Sequence, residues 1–241
     1  MITGDLEQGN QEQLKRWYEQ HGKQLHDALL RTQEELGRLC ARHELQPTIK
    51  YRVKGFESIT SKLRKRKHSE QSVTYEKHVL PCPADLLGMR IVCPFIEDIR
   101  HCERIIEQHY AVVEREQKGA QYSFHEFGYE SIHYLVRLPE DVLESCSLDP
   151  GFVCEIQLRT ILQDAWAEVE HELVYKADFS PFDEPLRRKL AALNANLSLA
   201  DIVFQEIRDY QRQLNHQMQR RRDSFAETVE RLVAPEEAGA G

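Results

Sequence analysis

The sequence predicts an α/β (α+β) fold, in which helices cover one face of a mixed β-sheet of about five strands and leave the other face open. Two observations support this prediction. Stretches with apolar residues every three or four positions alternate along the chain with shorter stretches in which apolar and polar residues alternate. In several of the shorter stretches the polar positions carry charge, which indicates strands with one buried and one open face.

The length, net charge and cysteine content of the chain limit the class of protein. The chain has 241 residues, a formal net charge of −8 and six scattered cysteines without a C-x-x-C pair. The net negative charge argues against a surface that binds nucleic acid over most of its area, so an anionic partner must bind at a local basic patch. The cysteines indicate buried reduced thiols, not a zinc site or a disulfide framework. No segment resembles a signal peptide or a membrane span, so we expect a cytoplasmic protein without membrane contact.

The first two elements are a packing helix and a basic strand. Apolar residues recur at helical spacing over residues 11–42, within an N-terminal segment 1–47. In the strand predicted at 48–55, Arg52 and Lys54 point away from the core. Eight cations and one acid lie between positions 50 and 67. We predict a phosphate site from Lys54, Ser58 and Lys62, with free N–H groups where a helix begins near Ser58; the alternative is a solvated basic helix.

The next predicted strand begins with an acid. Residues 68–83 have the composition of a polar, flexible connection that ends in prolines. After it, Leu87, Met89, Ile91 and Cys93 alternate onto a core face, and Arg90 lies on the other face. Asp85 precedes this strand and offers oxygen ligands to a hard cation such as Mg²⁺.

The middle of the chain predicts a helix at 96–108, a short strand at 110–113, a loop at 118–127 and a strand at 128–138. Ser131, His133 and Arg137 form the polar face of that last strand. Tyr129 precedes it, where its ring would be available for a base to stack on. The alternative for Tyr129 is a surface tyrosine that closes a turn.

The strand predicted at 152–160 has two unlike faces. Its polar face carries Glu155, Gln157 and Arg159, opposite an apolar face. A carboxylate in the middle of a rigid strand is costly unless a cation faces it. We therefore expect cations from other strands on the same face; the alternative is a solvated amphipathic strand.

The C-terminal part is predicted to be helical. A helix at 161–176 has one apolar stripe, two helices follow over 186–232, and a disordered tail occupies 234–241. The stripe of the first helix consists of Leu162, Ala165, Trp166, Val169 and Leu173.

The polar positions of the strands predict one site on the open face of the sheet. Asp85 and Glu155 would hold Mg²⁺, and Lys54, Ser58 and Lys62 would hold phosphate oxygens, as phosphoryl transfer requires. No G-x-x-x-x-G-K-[ST] or G-x-G-x-x-G motif occurs. Side chains must therefore bind the phosphates. The residues collected on this face are Arg52, Lys54, Arg90, Ser131, His133, Glu155, Gln157 and Arg159.

Four ordered motifs carry a resemblance to a known family. They are R-x-K-x-x-x-S-x-x-x-K from Arg52, D-L-L-G-M-R-I from Asp85, G-Y-x-S-x-H from Gly128 and E-I-Q-L-R-T from Glu155. Together they resemble the synthetase domain of the RelA/SpoT homologue family, most closely the single-domain small alarmone synthetases of the GTP pyrophosphokinase type. The resemblance implies a nucleotidyltransferase-like catalytic domain at 48–176, followed by C-terminal helices at 177–233.

The resemblance also implies an activity. It is the Mg²⁺-dependent transfer of pyrophosphate from ATP to the ribose 3′-hydroxyl of GDP or GTP, which makes the alarmone (p)ppGpp of the stringent response. The roles of the family's residues carry over to matching positions of this chain.

For the donor, Arg52 and Arg90 would sandwich the adenine of ATP, and Lys54, Ser58 and Lys62 would hold its phosphates. Asp85 and Glu155 would bind Mg²⁺, and Glu155 would also deprotonate the acceptor. The residues that would bind the acceptor are Tyr129, Ser131, His133, Gln157 and Arg159.

One departure leaves the acceptor open. The small synthetases usually carry a lysine and an asparagine just before G-Y-x-S-x-H, where this chain has residues 123–127 with Glu126. Lys118 or His125 would have to replace that lysine. The alternative is a toxic small synthetase that pyrophosphorylates the 3′ end of tRNA and blocks translation, with the basic run 64–67 on the acceptor stem.

Two further expectations concern other classes of function. A non-catalytic nucleotide-binding or RNA-binding module is the third candidate, and it predicts the loss of an acid or of the ATP-binding cations, all of which this sequence retains. A homo-oligomer that forms through the C-terminal helices is expected by analogy with the family.

Overall fold

The computed structural model describes residues 2–64, 71–75, 78–118, 131–170, 172–173 and 184–233. The helices are α1 (Ile2–Arg42), α2 (Phe56–Arg64), α3 (Ile96–His109), α4 (Glu140–Ser145), α5 (Ile161–Glu170) and α6 (Glu184–Val233). The strands are β1 (Thr48–Val53), β2 (Gln71–Tyr75), β3 (His78–Cys82), β4 (Leu87–Cys93), β5 (Ala111–Lys118), β6 (Ser131–Arg137) and β7 (Val153–Thr160).

Five strands form one mixed sheet in the order β1-β4-β7-β6-β5. Strands β4 and β7 are parallel, and the other neighbouring pairs are antiparallel. Strands β2 and β3 form a separate antiparallel pair. The predicted mixed sheet of about five strands, flanked by helices, is therefore confirmed.

The alternation of apolar residues in β4 and β7 decides which face of the sheet is buried. Met89 and Ile91 of β4 and Ile156 of β7 are at most 2% exposed. They belong to one hydrophobic core with residues of α1 and α3, such as Leu29 and Ile106. Because neighbouring strand residues point to opposite faces, the charged positions of the same strands are directed away from this core.

One predicted connection and one predicted strand are corrected, and one helix is added. Residues 68–83 were expected to be a flexible connection, but β2 and β3 lie there and pair through their backbones. Backbone N–H and C=O groups make such a pair whatever the polarity of the side chains, so composition did not predict it. The strand expected at 110–113 continues as β5 to Lys118, and α4 was not predicted.

The helix predicted at 161–176 is α5, which ends at Glu170, so Leu173 of the predicted stripe lies beyond it. Within the stripe Trp166 is buried, but Val169 is 46% exposed. Asp164 is buried instead, 7% exposed, and faces cations of the sheet. Ion pairs therefore help to set the orientation of α5. The spacing of apolar residues in the sequence does not predict these ion pairs.

The two C-terminal helices that we predicted are one continuous helix. Helix α6 has 50 residues, which corresponds to a length of about 75 Å. One row of its side chains contacts the body of the protein: Asp201 accepts a hydrogen bond from Thr160, and Arg208 pairs with Asp98 at 2.6 Å. The opposite row is apolar and exposed, and consists of Leu199, Val203, Ile207 and Tyr210.

Three further expectations concern the cysteines, membrane-spanning helices and the C-terminal tail. All six cysteines are buried free thiols. Of the helices that the structure describes, none has both the length and the apolar character needed to cross a bilayer. The tail at 234–241 lies outside the described residues.

Candidate active site

The strand registers place the predicted site residues in rows across the open face. Paired residues of neighbouring strands point to the same side of a sheet, so each row brings side chains together. The first row contains Arg52, Gly88 and Glu155 of β1, β4 and β7. The second row contains Lys50, Arg90, Gln157 and His133 of β1, β4, β7 and β6.

Gly88 leaves room for Arg52 to cross strand β4. A Cβ atom on Gly88 would lie 3.7 Å from Cγ and 3.8 Å from Nε of Arg52. The Arg52 side chain therefore lies over Gly88, two residues before Arg90 on the same face. The alternation in the sequence predicts both arginines on this face, and the structure brings their strands together.

Asp85 is held by the two predicted phosphate-binding lysines. Its Oδ2 accepts hydrogen bonds from Nζ of Lys54 at 2.5 Å and Nζ of Lys62 at 3.0 Å. The backbone fixes this arrangement, because the N–H of Lys54 donates to the C=O of Leu86 at 2.8 Å. Burial alone would raise the pKa of the Asp85 carboxyl, but the two lysines outweigh burial and hold the pKa below its ordinary value of 3.8.

The predicted role of the Ser58 backbone is wrong. Helix α2 begins at Phe56, two residues earlier than expected, so Ser58 lies within its first turn. The N–H of Ser58 donates to the C=O of Gly55 at 3.0 Å and is not free for a phosphate. Ser58 is nevertheless exposed, so its hydroxyl remains accessible.

Glu155 lies in a chain of hydrogen bonds that includes three predicted acceptor-binding residues. Oε1 of Glu155 lies 3.1 Å from Nδ1 of His133, and Oε2 accepts a hydrogen bond from Nε2 of Gln157 at 2.8 Å. The other ring nitrogen of His133, Nε2, lies 2.9 Å from the hydroxyl of Ser131. Ser131 and His133 are each 8% exposed, so this chain is largely shielded from water.

The two acids fit a magnesium ion. Oδ1 of Asp85 is buried and has no hydrogen-bond partner among the described residues, so it can accept a cation. Asp85 precedes β4 by two residues, and Glu155 lies beside Gly88 of that strand. Within the described ranges no cluster of three or more His, Cys, Asp or Glu residues is placed to bind a metal. Two carboxylates suit Mg²⁺, which retains water and phosphate oxygens as its other ligands.

The structure adds two acids to which the sequence motifs assign no role. Arg90 donates from Nη1 to Oδ1 of Asp164 at 2.7 Å and to Oε1 of Glu168 at 2.5 Å. Lys50 donates to the other oxygen of Asp164 at 2.9 Å. The sequence contains two signals for this cluster: Asp164 and Glu168 are one helical turn apart, and they closely follow the cationic end of β7.

Several predicted residues lie outside the described part of the chain. These are Tyr129, His125, Glu126 and residues 65–67 of the basic run. Lys118 is the last residue of β5 and pairs with Ser131 of β6.

A family model described as a region found in RelA/SpoT proteins matches residues 51–179 of the chain. Two curated proteins of Bacillus subtilis (strain 168) are similar. GTP pyrophosphokinase YwaC is 32% identical over 127 residues, which are 53% of this chain and 57% of YwaC. GTP pyrophosphokinase YjbM is 30% identical over 159 residues, which are 65% of this chain and 69% of YjbM. The aligned part thus spans less than two thirds of YwaC.

A solved structure shows the same fold. The small alarmone synthetase 1 from Bacillus subtilis superposes with a TM-score of 0.64 at 24% identity, over 83% of this chain and 98% of that chain. Crystal structures of that synthetase bound to its product pppGpp and to AMPCPP are also similar, with TM-scores of 0.63 and 0.60.

The pairing of Asp85 predicts a pH-dependent contribution to stability. Because its pKa is lowered in the folded state, its stabilisation is complete well above pH 3.8 and is lost as the pH falls below that value. Asp85→Asn should lower the free energy of unfolding by roughly 1–2 kcal/mol at pH 7, since Lys54 and Lys62 lose a partly buried charged partner. Urea unfolding between pH 7 and pH 3 measures this difference, which should shrink in the acid range.

Asp141→Asn is the matched control, because Asp141 is exposed on α4. It should leave the unfolding free energy unchanged across the same pH range. A difference between wild type and Asp85→Asn that stays constant down to pH 3 would contradict the pairing.

Proposed function

Because the chain belongs to the RelA/SpoT family, we propose that it transfers pyrophosphate from ATP to the ribose 3′-hydroxyl of GDP or GTP and so makes (p)ppGpp. The observation that carries this proposal is the grouping of two acids at neighbouring strands: Asp85, held by two lysines, precedes β4 by two residues, and Glu155, with its hydrogen-bonded partners, lies on β7. The GTP pyrophosphokinases YwaC and YjbM, and the pppGpp-bound relative, support it. We place the activity in the cytoplasm, where these nucleotides are.

The donor side of the site suits ATP. Arg52 and Arg90 lie on paired strands and point to the same face, so their guanidinium planes can enclose an adenine ring. Lys54 and Lys62 converge on Asp85 and would exchange part of that contact for the phosphates. Side-chain cations thus take the role that a P-loop has in other nucleotide enzymes.

Asp85 and Glu155 would hold the magnesium ion. When bound, Mg²⁺ neutralises charge on the transferring phosphates. Oδ1 of Asp85, which has no hydrogen-bond partner in the described part of the chain, supports this assignment.

The surroundings of Glu155 suit a general base. Its oxygens face Nδ1 of His133 and the amide of Gln157, which fix the direction of the carboxylate. If the Ser131 hydroxyl donates to Nε2 of His133, the ring proton lies on Nδ1 and points at Glu155. Glu155 then takes the proton of the 3′-hydroxyl, the 3′-oxygen bonds to the β-phosphorus of ATP, and AMP leaves with the electrons of the broken P–O bond.

The acceptor is proposed to bind beside Glu155. Tyr129 would stack on its base, and Gln157 and Arg159 would contact it from β7. Nη1 of Arg159 is buried and has no hydrogen-bond partner among the described residues, so it can donate to a phosphate. His133 would support the acceptor mainly through its contact with Glu155, and Ser131 would do so through its contact with His133.

We also propose that α6 associates with a second copy of the chain. Leu199, Val203, Ile207 and Tyr210 recur at spacings of four, four and three, which is the pattern of a helix that packs on another helix. Their exposed fractions range from 40% to 62%, on the side opposite the row that contacts the body of the protein. A second α6 offers a matching stripe.

The assay that tests the activity uses purified protein, Mg²⁺ and ATP labelled at the γ-phosphate, with GDP, GTP or deacylated tRNA in separate reactions. We expect label in guanosine tetra- or pentaphosphate. Glu155→Gln should reduce the rate about 100-fold or more, because the amide cannot accept the proton. Binding of ATP should be retained in that variant.

Glu114→Gln is the control, since Glu114 is exposed and belongs to the same row two strands away. It should keep the wild-type rate. Label in tRNA alone would replace the alarmone synthetase by a tRNA-modifying toxin, and label in no acceptor would favour a non-catalytic binding module. Full activity of Glu155→Gln would remove Glu155 as the base.

Tyr129→Ala tests how the acceptor base is held. Loss of a stacked ring should raise the KM for GDP or GTP about tenfold, since a stacked base contributes about 1–3 kcal/mol. The KM for ATP should change little. Steady-state kinetics with each substrate varied in turn measures both values, and an unchanged acceptor KM would disprove stacking.

Light scattering after size-exclusion chromatography tests self-association. We expect a molar mass that is a multiple of 28.3 kDa for the wild type. Ile207→Asp should shift the mass toward the monomer, because it places a charge in the apolar stripe. A monomeric wild type would overturn the proposal.

A further inference from the structure

Asp164 of α5 lies at the centre of a charged cluster above the open face. Its Oδ2 accepts a hydrogen bond from Lys50 at 2.9 Å, and its Oδ1 accepts one from Arg90 at 2.7 Å. Nη1 of Arg159 lies 3.9 Å from the same Oδ1. One buried carboxylate thus faces cations from three neighbouring strands, β1, β4 and β7.

The strand registers bring like charges together, and an acid between them reduces their repulsion. Lys50 and Arg90 are directly paired on β1 and β4, and like charges in that position repel each other. Arg159 adds a third charge on β7, and its side chain is only 13% exposed. Burial, and then repulsion from Arg90, lower the pKa of Arg159, which shows how crowded with cations this region is.

Helix α5 is also held by contacts that do not involve these cations. The hydroxyl of Thr160 accepts a hydrogen bond from the N–H of Gln163, and the Gln163 side chain accepts one from the N–H of Thr160. This reciprocal pair caps the start of α5. Thr160 also donates to Asp201 of α6 at 2.6 Å, so the position of Asp164 rests on a capped and anchored helix.

The acids hold the edge of the Arg90 guanidinium group. Asp164 and Glu168 both accept from the same nitrogen, Nη1, at 2.7 and 2.5 Å. Hydrogen bonds to a guanidinium group lie in its plane, whereas a base stacks on its face. The two acids therefore restrict how Arg90 turns and leave its faces available.

We propose that Asp164 is a positioning residue for ATP binding: it holds Arg90 in the orientation that stacks on adenine. Glu168 is a second, weaker support of Arg90. This inference rests on the proposed function, because it assumes that Arg90 binds ATP. Asp164 itself contacts protein cations and takes no part in the chemical step. Fixing the arginine beforehand lowers the ordering cost of ATP binding.

The experiment compares variants by affinity for α,β-methylene ATP, measured by calorimetry without turnover, and by the KM for ATP. Asp164→Asn should weaken both about tenfold or more, because three cations lose their charged partner. The kcat at saturating ATP should stay within about threefold, and the KM for the acceptor should rise less than the KM for ATP, because Arg159, the proposed acceptor-binding cation, lies 3.9 Å from Asp164 without a hydrogen bond to it. Glu168→Gln should weaken ATP binding by about twofold to threefold, since the Glu168 side chain is 64% exposed.

Asp201→Asn is the structural control. It removes the charge from the contact between α6 and Thr160, and so weakens that contact, but does not touch Arg90. Wild-type ATP affinity in Asp201→Asn, together with weak affinity in Asp164→Asn, supports the positioning role. Equal losses in both variants would show that only the anchoring of α5 matters, and would overturn the proposal.

The remaining outcomes are distinguishable. If Asp164→Asn does not fold, as judged by circular dichroism, Glu168→Gln decides, and an unchanged ATP affinity in that variant overturns the proposal. If the wild type does not bind α,β-methylene ATP, the proposed function itself fails, and the role of Asp164 fails with it. If the wild type binds and Asp164→Asn binds equally well, the positioning role alone is wrong.

Discussion

The candidate site depends on the balance of charge on the open face of a sheet whose other face is largely apolar. The inner strands β4 and β7 are fixed by their core residues, so their charged side chains cannot turn away from each other. Each acid there meets cationic or hydrogen-bonding partners: Asp85 has two lysines, Glu155 has His133 and Gln157, and Asp164 has Lys50 and Arg90. A rigid apolar face thus holds reactive groups in register on the other face.

Much of this organisation follows from alternation in the sequence. A period of two in residues 87–93 and 152–160 is enough to separate core from site, and it predicts that Arg90, Glu155 and Gln157 share one side of the sheet. The grouping of Asp85 with Lys54 and Lys62 also follows from their types and from the local excess of cations. These features depend on residues that are close together in the sequence, so patterns in the sequence are enough to predict them.

The features that the sequence did not predict depend on distant partners. The apolar neighbours of Asp164 suggest an ordinary helix with a hydrophobic stripe, whereas the burial of Asp164 comes from cations over 70 residues away in β1 and β4. Likewise, β2 and β3 are joined by backbone hydrogen bonds, which composition does not report. The two helices predicted over 186–232 are the continuous helix α6, and many of its large apolar side chains are exposed.

The different surroundings of Asp85 and Glu155 divide the chemical work between them. Asp85 is held by two permanent cations, which keep its pKa low, and a carboxylate of low pKa is a poor proton acceptor. It is therefore suited to binding positive charge. Glu155 faces an imidazole and an amide, which fix the direction of its carboxylate on strand β7. In the proposed mechanism Asp85 therefore binds positive charge, and the oriented carboxylate of Glu155 both contributes to the metal site and meets the acceptor hydroxyl.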